Sequence, residues 1–492
     1  MARRDLRIVL LLIACPCLFS LPVRAEPVAG LAARRIAAAF LERIRAAGFE
    51  ASGAFAVPGE REPLAHVVTL DPAGYVVVAA DDRLPPVIAY STTAEYPGGE
   101  EIPDPLLALL QADLERRLAA LPQLDARAAE ARSQAWSELA AGTSRRGARF
   151  EQWPPEGSTP TGGWIAANWA QGAPYNALCP LDLAHGGSRS LAGCPAVAMA
   201  MILNYHETIQ GTAFDGGDRY WHNYAGNAYW IPDAHAQYGF PSFATLNGYL
   251  ETLTQHWAEG TPLTNTDKAA LVFGCGVAAR QVYSASGSGT FGVGQAFDAF
   301  RRFAFADCRL VFDTDPDLYP DMAAQMQNAL PVHLAVVDPD WTMGHNLVVD
   351  GYNTDSYFHL NFGWGGAYNG WYLLPQEIPY GLTVIEGAIL DIVPESQSGA
   401  HLPAGGAALA LAGGPNPIGP RLTLTFASPA AGRARLGIYD AAGRRQELLL
   451  DAEIPEGTRS FDWTPRRLES GVYWARLQIG DRVATRRLVL AR

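Results

Sequence analysis

The stretch Gly193-Cys194-Pro195-Ala196-Val197-Ala198-Met199-Ala200-Met201-Ile202-Leu203-Asn204-Tyr205-His206 constrains the fold most. Its apolar residues cover every side of a helix, so the helix belongs in a core. Pro195 suits the first helical position, where its fixed φ fits and its missing N–H is no loss. Cys194 therefore stands at the N-terminus of a central helix, where the peptide dipoles favour a thiolate, the nucleophilic form. A small buried cysteine at a helix start fits the same residues. The rest of the chain has to decide between the two.

At 492 residues the chain has room for two to four domains. A net charge of −13 shows no nucleic-acid signature. Residues 1–7 are basic, residues 8–21 are apolar, and Val23-Arg24-Ala25 ends like a cleavage site. This is the pattern of a secretory signal cut after Ala25. Leu12-Ile13-Ala14-Cys15 also resembles a bacterial lipobox, which would put a lipid on Cys15. Both readings send the protein out of the cytoplasm. Beyond the signal, Cys179, Cys194, Cys275 and Cys308 remain, too few for a disulfide scaffold in a chain of this size. One bridge among Cys179, Cys275 and Cys308 stays open.

Residues 27–48 read as an amphipathic helix with Leu31, Ile36, Phe40, Leu41 and Ile44 on its apolar side. Strands at 66–70, 75–80 and 87–90 follow, then helices at 105–121 and 126–141. Residues 142–163, rich in Gly, Pro, Thr and Arg, read as an exposed linker. From about Trp164 to Pro394 a first half carries helices at 243–255, 266–282 and 294–303. A second half reads as strands at 331–337, 345–352, 357–362 and 371–374. The spacing predicts an α+β domain with a cleft between its halves. After a linker at 397–414, short strands alternate with turn residues to the C-terminus, as in a small Ig-like β-sandwich.

A cysteine nucleophile needs a base, and His345 opens a predicted strand about 150 residues downstream. The turn at Asn353-Thr354-Asp355-Ser356 folds a hairpin that brings Asn361 beside it. If like-parity residues are opposed, Asn361 shares a face with His345 and can orient the imidazole. Trp364, among glycines, can cover that contact. Acyl transfer also needs oxyanion donors, for which the Cys194 N–H and the Gln171 side chain are candidates. The order Gln, Cys, His, Asn-x-x-Trp-Gly is that of papain-like peptidases.

Gly193-Cys194 with its Ala/Met-rich helix resembles the nucleophile motif of streptopain-like cysteine peptidases. So do Gln171 with Pro174-Tyr175-Asn176 and Cys179-Pro180, Gly344-His345 with Asp350-Gly351, and Asn361-Phe362-Gly363-Trp364-Gly365-Gly366. Gly74 to Ser91 resembles that family's propeptide. The resemblance spans about residues 30–395. It implies a papain-like fold, a zymogen whose own propeptide blocks the cleft, and endopeptidase activity on protein and peptide substrates. It implies Cys194 as nucleophile, His345 as base, Asn361 as orienter and Gln171 as oxyanion donor. Ser286 and Gly287, in a loop similar to the family's substrate-side loop, with Gly344 and Trp364, would contact substrate. Phe362 departs from the family, which usually has Trp there. The tail resembles C-terminal sorting or Ig-like domains of secreted bacterial proteins, through Pro415-Asn416-Pro417, Ser470-Gly471-Val472-Tyr473 and Arg487-Leu488-Val489-Leu490. It implies secretion machinery as a partner and a secreted or surface location.

Two metal motifs fail. His206-Glu207-Thr208-Ile209-Gln210 lacks the second His of a zinc-protease helix. Asp313, Asp315 and Asp317 alternate like a calcium loop, but Leu318 replaces the needed Gly. They read instead as a turn that caps a helix at 320–330. The expectation is thus a signal (1–25), an inhibitory propeptide (26–147), a papain-like catalytic domain (148–396), a linker (397–414) and a β-sandwich (415–492), with no metal, cofactor or nucleic acid. Two other classes use the same residues: a peptidoglycan or other amide hydrolase, and a catalytically dead binding module.

Overall fold

The computed structural model describes residues 28, 30–94, 105–124, 126–142, 150–337, 344–374, 385–394, 410–413, 418 and, with short gaps, 421–490. The expected signal, the candidate lipobox and most of the 397–414 linker lie outside the described residues, as do residues 143–149.

The N-terminal unit holds α1 (Gly30–Arg43), β1 (Glu50–Val57), β2 (Ala65–Asp71), β3 (Tyr75–Ala79), β4 (Val87–Ser91), α2 (Pro105–Ala120) and α3 (Ala126–Ala140). Ile36, Phe40, Leu41 and Ile44 of the first helical stretch are buried as its period predicts. Leu31 is not on that side; it is 61% exposed at the first turn. The sequence reading missed β1, whose Ala- and Gly-rich residues carry little strand preference. Pairing with β2 makes it a strand.

Part of the expected 142–163 linker is paired with the sheet. Within it β5 (Gln152–Trp153) pairs with Tyr352 and Asn353, and Glu151 O accepts from Thr354 N at 2.9 Å. Short pieces follow at β6 (Leu181–Asp182) and β7 (Ser188–Arg189), then α4 (Cys194–His206). The irregular, aromatic-rich stretch folds as a hairpin of β8 (Tyr220–Tyr224) and β9 (Asn227–Ile231). Next come α5 (His235–Tyr238), α6 (Phe243–Glu259), α7 (Asn265–Ala278), α8 (Val293–Arg302), β10 (Arg309–Phe312) and α9 (Leu318–Gln327). Asp317 sits at the N-cap of α9 but its side chain makes no capping bond, contrary to the expected role of the three aspartates. The second half supplies β11 (Val332–Val337), β12 (Gly344–Asn353), β13 (Tyr357–Asn361), β14 (Gly370–Leu373) and β15 (Ile385–Leu390).

One sheet runs through both units in the order β1-β2-β3-β4-β14-β13-β12-β11-β15-β10. The join is β4 against β14, Tyr90 opposite Trp371 and Ala89 opposite Tyr372. Residues α4, α6, α7 and α8 pack with Ala335 and Val348 on one face of its second half. Leu110 and Leu114 of α2, Ile88 of β4 and three residues of α9 pack with Leu334, Leu347 and Val349 on the other. That division follows strand alternation: odd and even positions of β12 meet different layers.

The tail has two sheets, β16 (Ala410–Gly413), β17 (Leu422–Ser428) and β20 (Gly457–Trp463) against β19 (Arg445–Ile454), β18 (Gly432–Asp440), β21 (Gly471–Ile479) and β22 (Arg482–Leu490). Leu424, Phe426, Leu436, Ile438, Leu477 and Leu488 fill the space between them, so this is the expected sandwich. It meets the main body where Arg486 Nη1 lies 3.1 Å from Glu207 Oε2, just past the C-terminus of α4.

Candidate active site

Cys194 is the first residue of α4, with Pro195 behind it and nearly every later residue of the helix buried. Gly193 forms the N-cap at φ +83°, a conformation that favours glycine. A Cβ there would also fall 2.5 Å from the carboxamide of Gln281. Gln281 is fully buried, and its Nε2 donates to Ala192 O at 2.8 Å, which pins the approach to Cys194. The sequence carries no signal for this residue.

Gln171 lies beside that approach: its backbone O accepts from Ala192 N at 2.9 Å. Trp169 O accepts from Gly365 N at 2.9 Å, so the Gln171 segment and the Trp364 loop are neighbours. Leu191 N donates to Ser284 O at 3.0 Å, which brings the Ser286 and Gly287 loop to the same approach. Gly287 N donates to Ser284 Oγ at 3.1 Å, and Ala285 N to Asp182 Oδ2 at 2.9 Å, so that loop is tied down. Gly344 is exposed at the start of β12, opposite Val337.

The strand β12 reaches the sulfur through Asn346, whose N–H donates to Cys194 Sγ at 3.4 Å. His345 precedes it by one position, and alternation sends its ring to the opposite face. There His345 Nε2 donates to Phe362 O at 2.8 Å. The ring stacks on Trp364 with centroids 4.3 Å apart and lies parallel to Phe362 at 6.0 Å. Trp364 thus stacks on His345, but the His345–Asn361 contact it was expected to cover is replaced by bonds from His345 to Phe362 and from Asn361 to Ala167 and Gly363.

Asn361 does not oppose His345. The register sets it against Val348, three positions along, on the α4 face. Its Nδ2 donates to Ala167 O at 3.0 Å and its Oδ1 accepts from Gly363 N at 3.2 Å. The two residues stand on adjacent strands, as the hairpin predicts, but on opposite faces of the sheet. A bulge between Val349 and Gly351 shifts the ladder, and a turn alone does not reveal it.

Burial disfavours the charged form of both side chains. Burial pushes the Cys194 thiol up, against the opposing pull of Asn346 and of the Cys194 backbone. Burial likewise pushes His345 down to about 4, with the bond to Phe362 acting the other way and His333 nearby adding to the drop. The helix N-terminus favours a thiolate, but desolvation outweighs it here. The other three described cysteines, Cys179, Cys275 and Cys308, are free and buried. His359, held 2.6 Å from Asp350 in full burial, ties the strands together, in keeping with a structural part.

Cys194 thus heads a buried helix, and the strand that carries His345 lies across its sulfur. Residues 169–372 match the peptidase C10 family and residues 25–116 the Spi protease inhibitor family. The chain thus carries a peptidase C10-type domain with a Spi-type inhibitor segment ahead of it. It is 25% identical over 305 residues to the thiol protease/hemagglutinin PrtT of Porphyromonas gingivalis, covering 60% of this chain and 32% of that protein. It thus spans about a third of PrtT. It is 24% identical over 345 residues to streptopain of Streptococcus pyogenes, covering 66% of this chain and 77% of streptopain. The solved structure of a Prevotella intermedia prointerpain A fragment aligns with a TM-score of 0.44 at 18% identity, covering 69% of this chain and 98% of that one.

Proposed function

We propose that this chain is a secreted cysteine endopeptidase made as a zymogen, with Cys194 as nucleophile and His345 as general base and acid. The observation that carries the reading is Cys194 at the head of α4 with the segment 344–346 against its sulfur. The Cys194 thiolate attacks a peptide carbonyl, the Cys194 N–H and Gln171 hold the oxyanion, and His345 protonates the leaving amine. Water then releases the acyl-enzyme. Ser286, Gly287, Gly344 and Trp364 line the substrate side.

In the full chain the His345 ring lies on the sheet face where Leu110 and Leu114 of α2 also pack, away from the sulfur. Release of the inhibitor segment frees that face, and a backbone change at the start of β12 then turns the ring from Phe362 O toward Cys194. Asn361 already stands on that side and becomes its orienter. The docking of β5 on β12 supports a maturation cut before Phe150, consistent with a boundary near 147. The apolar N-terminal segment supports export, and the sandwich tail supports a contact with secretion machinery at a secreted or surface location.

The test is maturation of the purified full chain under reducing conditions, wild type beside Cys194→Ala. The expected result is a wild type that shortens to a fragment starting between residues 143 and 150 and then digests casein, while Cys194→Ala does neither. A wild type that stays full length and inert toward casein, but acts on cell-wall material, would replace this reading with an amide hydrolase.

A further inference from the structure

His333 lies fully buried on β11, on the α4 face, and the mechanism above does not use it. Its Nε2 stands 2.8 Å from Asn346 Oδ1. A carboxamide oxygen only accepts, so Nε2 carries the proton and Nδ1 is a bare acceptor. That Nδ1 is buried with no partner among the described residues. The edge of Phe300 closes on the ring, centroids 5.8 Å apart. An uncharged histidine with one nitrogen unsatisfied is costly to bury, so its single bond to Asn346 calls for a reason.

The reason lies at the other end of Asn346. With Oδ1 held by His333, its amide group turns away from that ring. The Asn346 side chain reaches the Cys194 sulfur, and its backbone N–H donates to the same atom at 3.4 Å. The donors run in one direction, from His333 through Asn346 to Cys194. Each N–H aimed at the sulfur favours its anionic form over the thiol.

We propose that Asn346, oriented by His333, is a positioning residue for the nucleophile, aiming two donors at Cys194 Sγ without help from His345. This rests on Cys194 being the nucleophile. His333 acts only through Asn346, as the group that keeps the carboxamide from rotating.

The test is the rate at which iodoacetamide alkylates Cys194 in the full chain at pH 8, read by mass spectrometry of the peptide that holds it. The peptides holding Cys179 and Cys275 serve as buried references in the same sample. Asn346→Ala should react about tenfold more slowly, the scale of one hydrogen bond to a charged group. Asn346→Asp should be slower still, because a carboxylate beside the sulfur opposes the thiolate. His333→Phe should resemble Asn346→Ala, and His333→Gln, which keeps a donor for Asn346, should recover most of the wild-type rate. A purely structural role predicts neither the penalty of the carboxylate nor the rescue by Gln. Rates of Asn346→Ala and Asn346→Asp within twofold of wild type would overturn the proposal and leave the nucleophile reading standing. A wild-type Cys194 no faster than Cys275 would overturn the nucleophile reading itself. If Asn346→Ala exposes Cys275, the fold has opened, and the His333→Phe and His333→Gln pair decides alone.

Discussion

The two faces of the β11 to β14 region hold different halves of the chemistry. On the α4 face stand Cys194, Asn346 and His333, joined by hydrogen bonds at the sulfur, and Asn361, bonded to Ala167 and Gly363. On the other face stand His345, Phe362 and Trp364, in the layer that also takes Leu110, Leu114 and Ile88 of the N-terminal unit. A single peptide step separates His345 from Asn346. A one-residue step in a strand reverses the side chain, so the backbone beside His345 reaches the Cys194 sulfur while the His345 ring stays on the other face. On the proposed reading, the inhibitor segment needs only to stabilise one face to keep the other idle.

The largest way to break that comparison is to loosen the inhibitor segment where it grips the sheet. Arg117 is buried on α2; its Nε donates to Asp113 Oδ2 at 2.7 Å and its Nη2 donates to Leu373 O of β14. Arg117→Ala leaves a buried carboxylate unpaired and a strand carbonyl unmet, a loss of about 3–5 kcal/mol. The expected outcome is a lower melting temperature of the full chain and faster maturation. Unchanged maturation, with the melting point clearly lowered, would show that this contact does not govern release.

Acid is the next lever, and it acts on both faces. His345 and His333 are each pushed down to about 4 by burial, against an ordinary value near 6.5. Above about pH 6.5 neither the folded nor the unfolded chain carries these protons, and stability is at its full value. Between about pH 6.5 and 4 the unfolded chain binds protons that the folded chain refuses, so stability falls as pH falls. The loss is at most about 3 kcal/mol per histidine. Thermal melts of the full-length Cys194→Ala chain from pH 7.5 to 4.5 should show this slope. His333→Phe should flatten it by about half, since it removes one of the two groups. An equally steep slope in that variant would assign the acid loss to other residues.

The smallest effect belongs at the far end of α4. Arg486 of the tail and Glu207 are each about one-fifth exposed, so their pair contributes about 1 kcal/mol or less. Arg486→Ala should leave the alkylation rate of Cys194 within twofold of wild type. A larger change would mean that the tail acts on the nucleophile through the helix.

Much of this molecule is legible along the chain because local physics decides it. The all-apolar helix behind Cys194 is buried, the amphipathic stretch of residues 36–44 packs by its period, and the tail strands fall between their turn residues. Even the split between His345 and Asn346 follows from strand alternation once the strand is accepted. What strand periodicity does not carry is opposition. Asn361 was matched to His345 on parity, but the bulge in β12 sets it against Val348. Residues 150–153 look like linker because their composition is that of a loop, and only the edge of β12 makes them a strand.

By itself the sequence determined most of the segments that become helices and strands, where Cys194 sits on its helix, and which residue types are available for the proposed acyl transfer. These depend on backbone preference and on periods of two and 3.6 residues, which act over short distances. The tertiary structure alone decided that β4 joins β14, that the inhibitor segment and the His345 ring share one face, and that Gln281 and His333 stand behind Gly193 and Asn346. Those pairings join residues far apart in the chain, and the packing of a whole layer selects them.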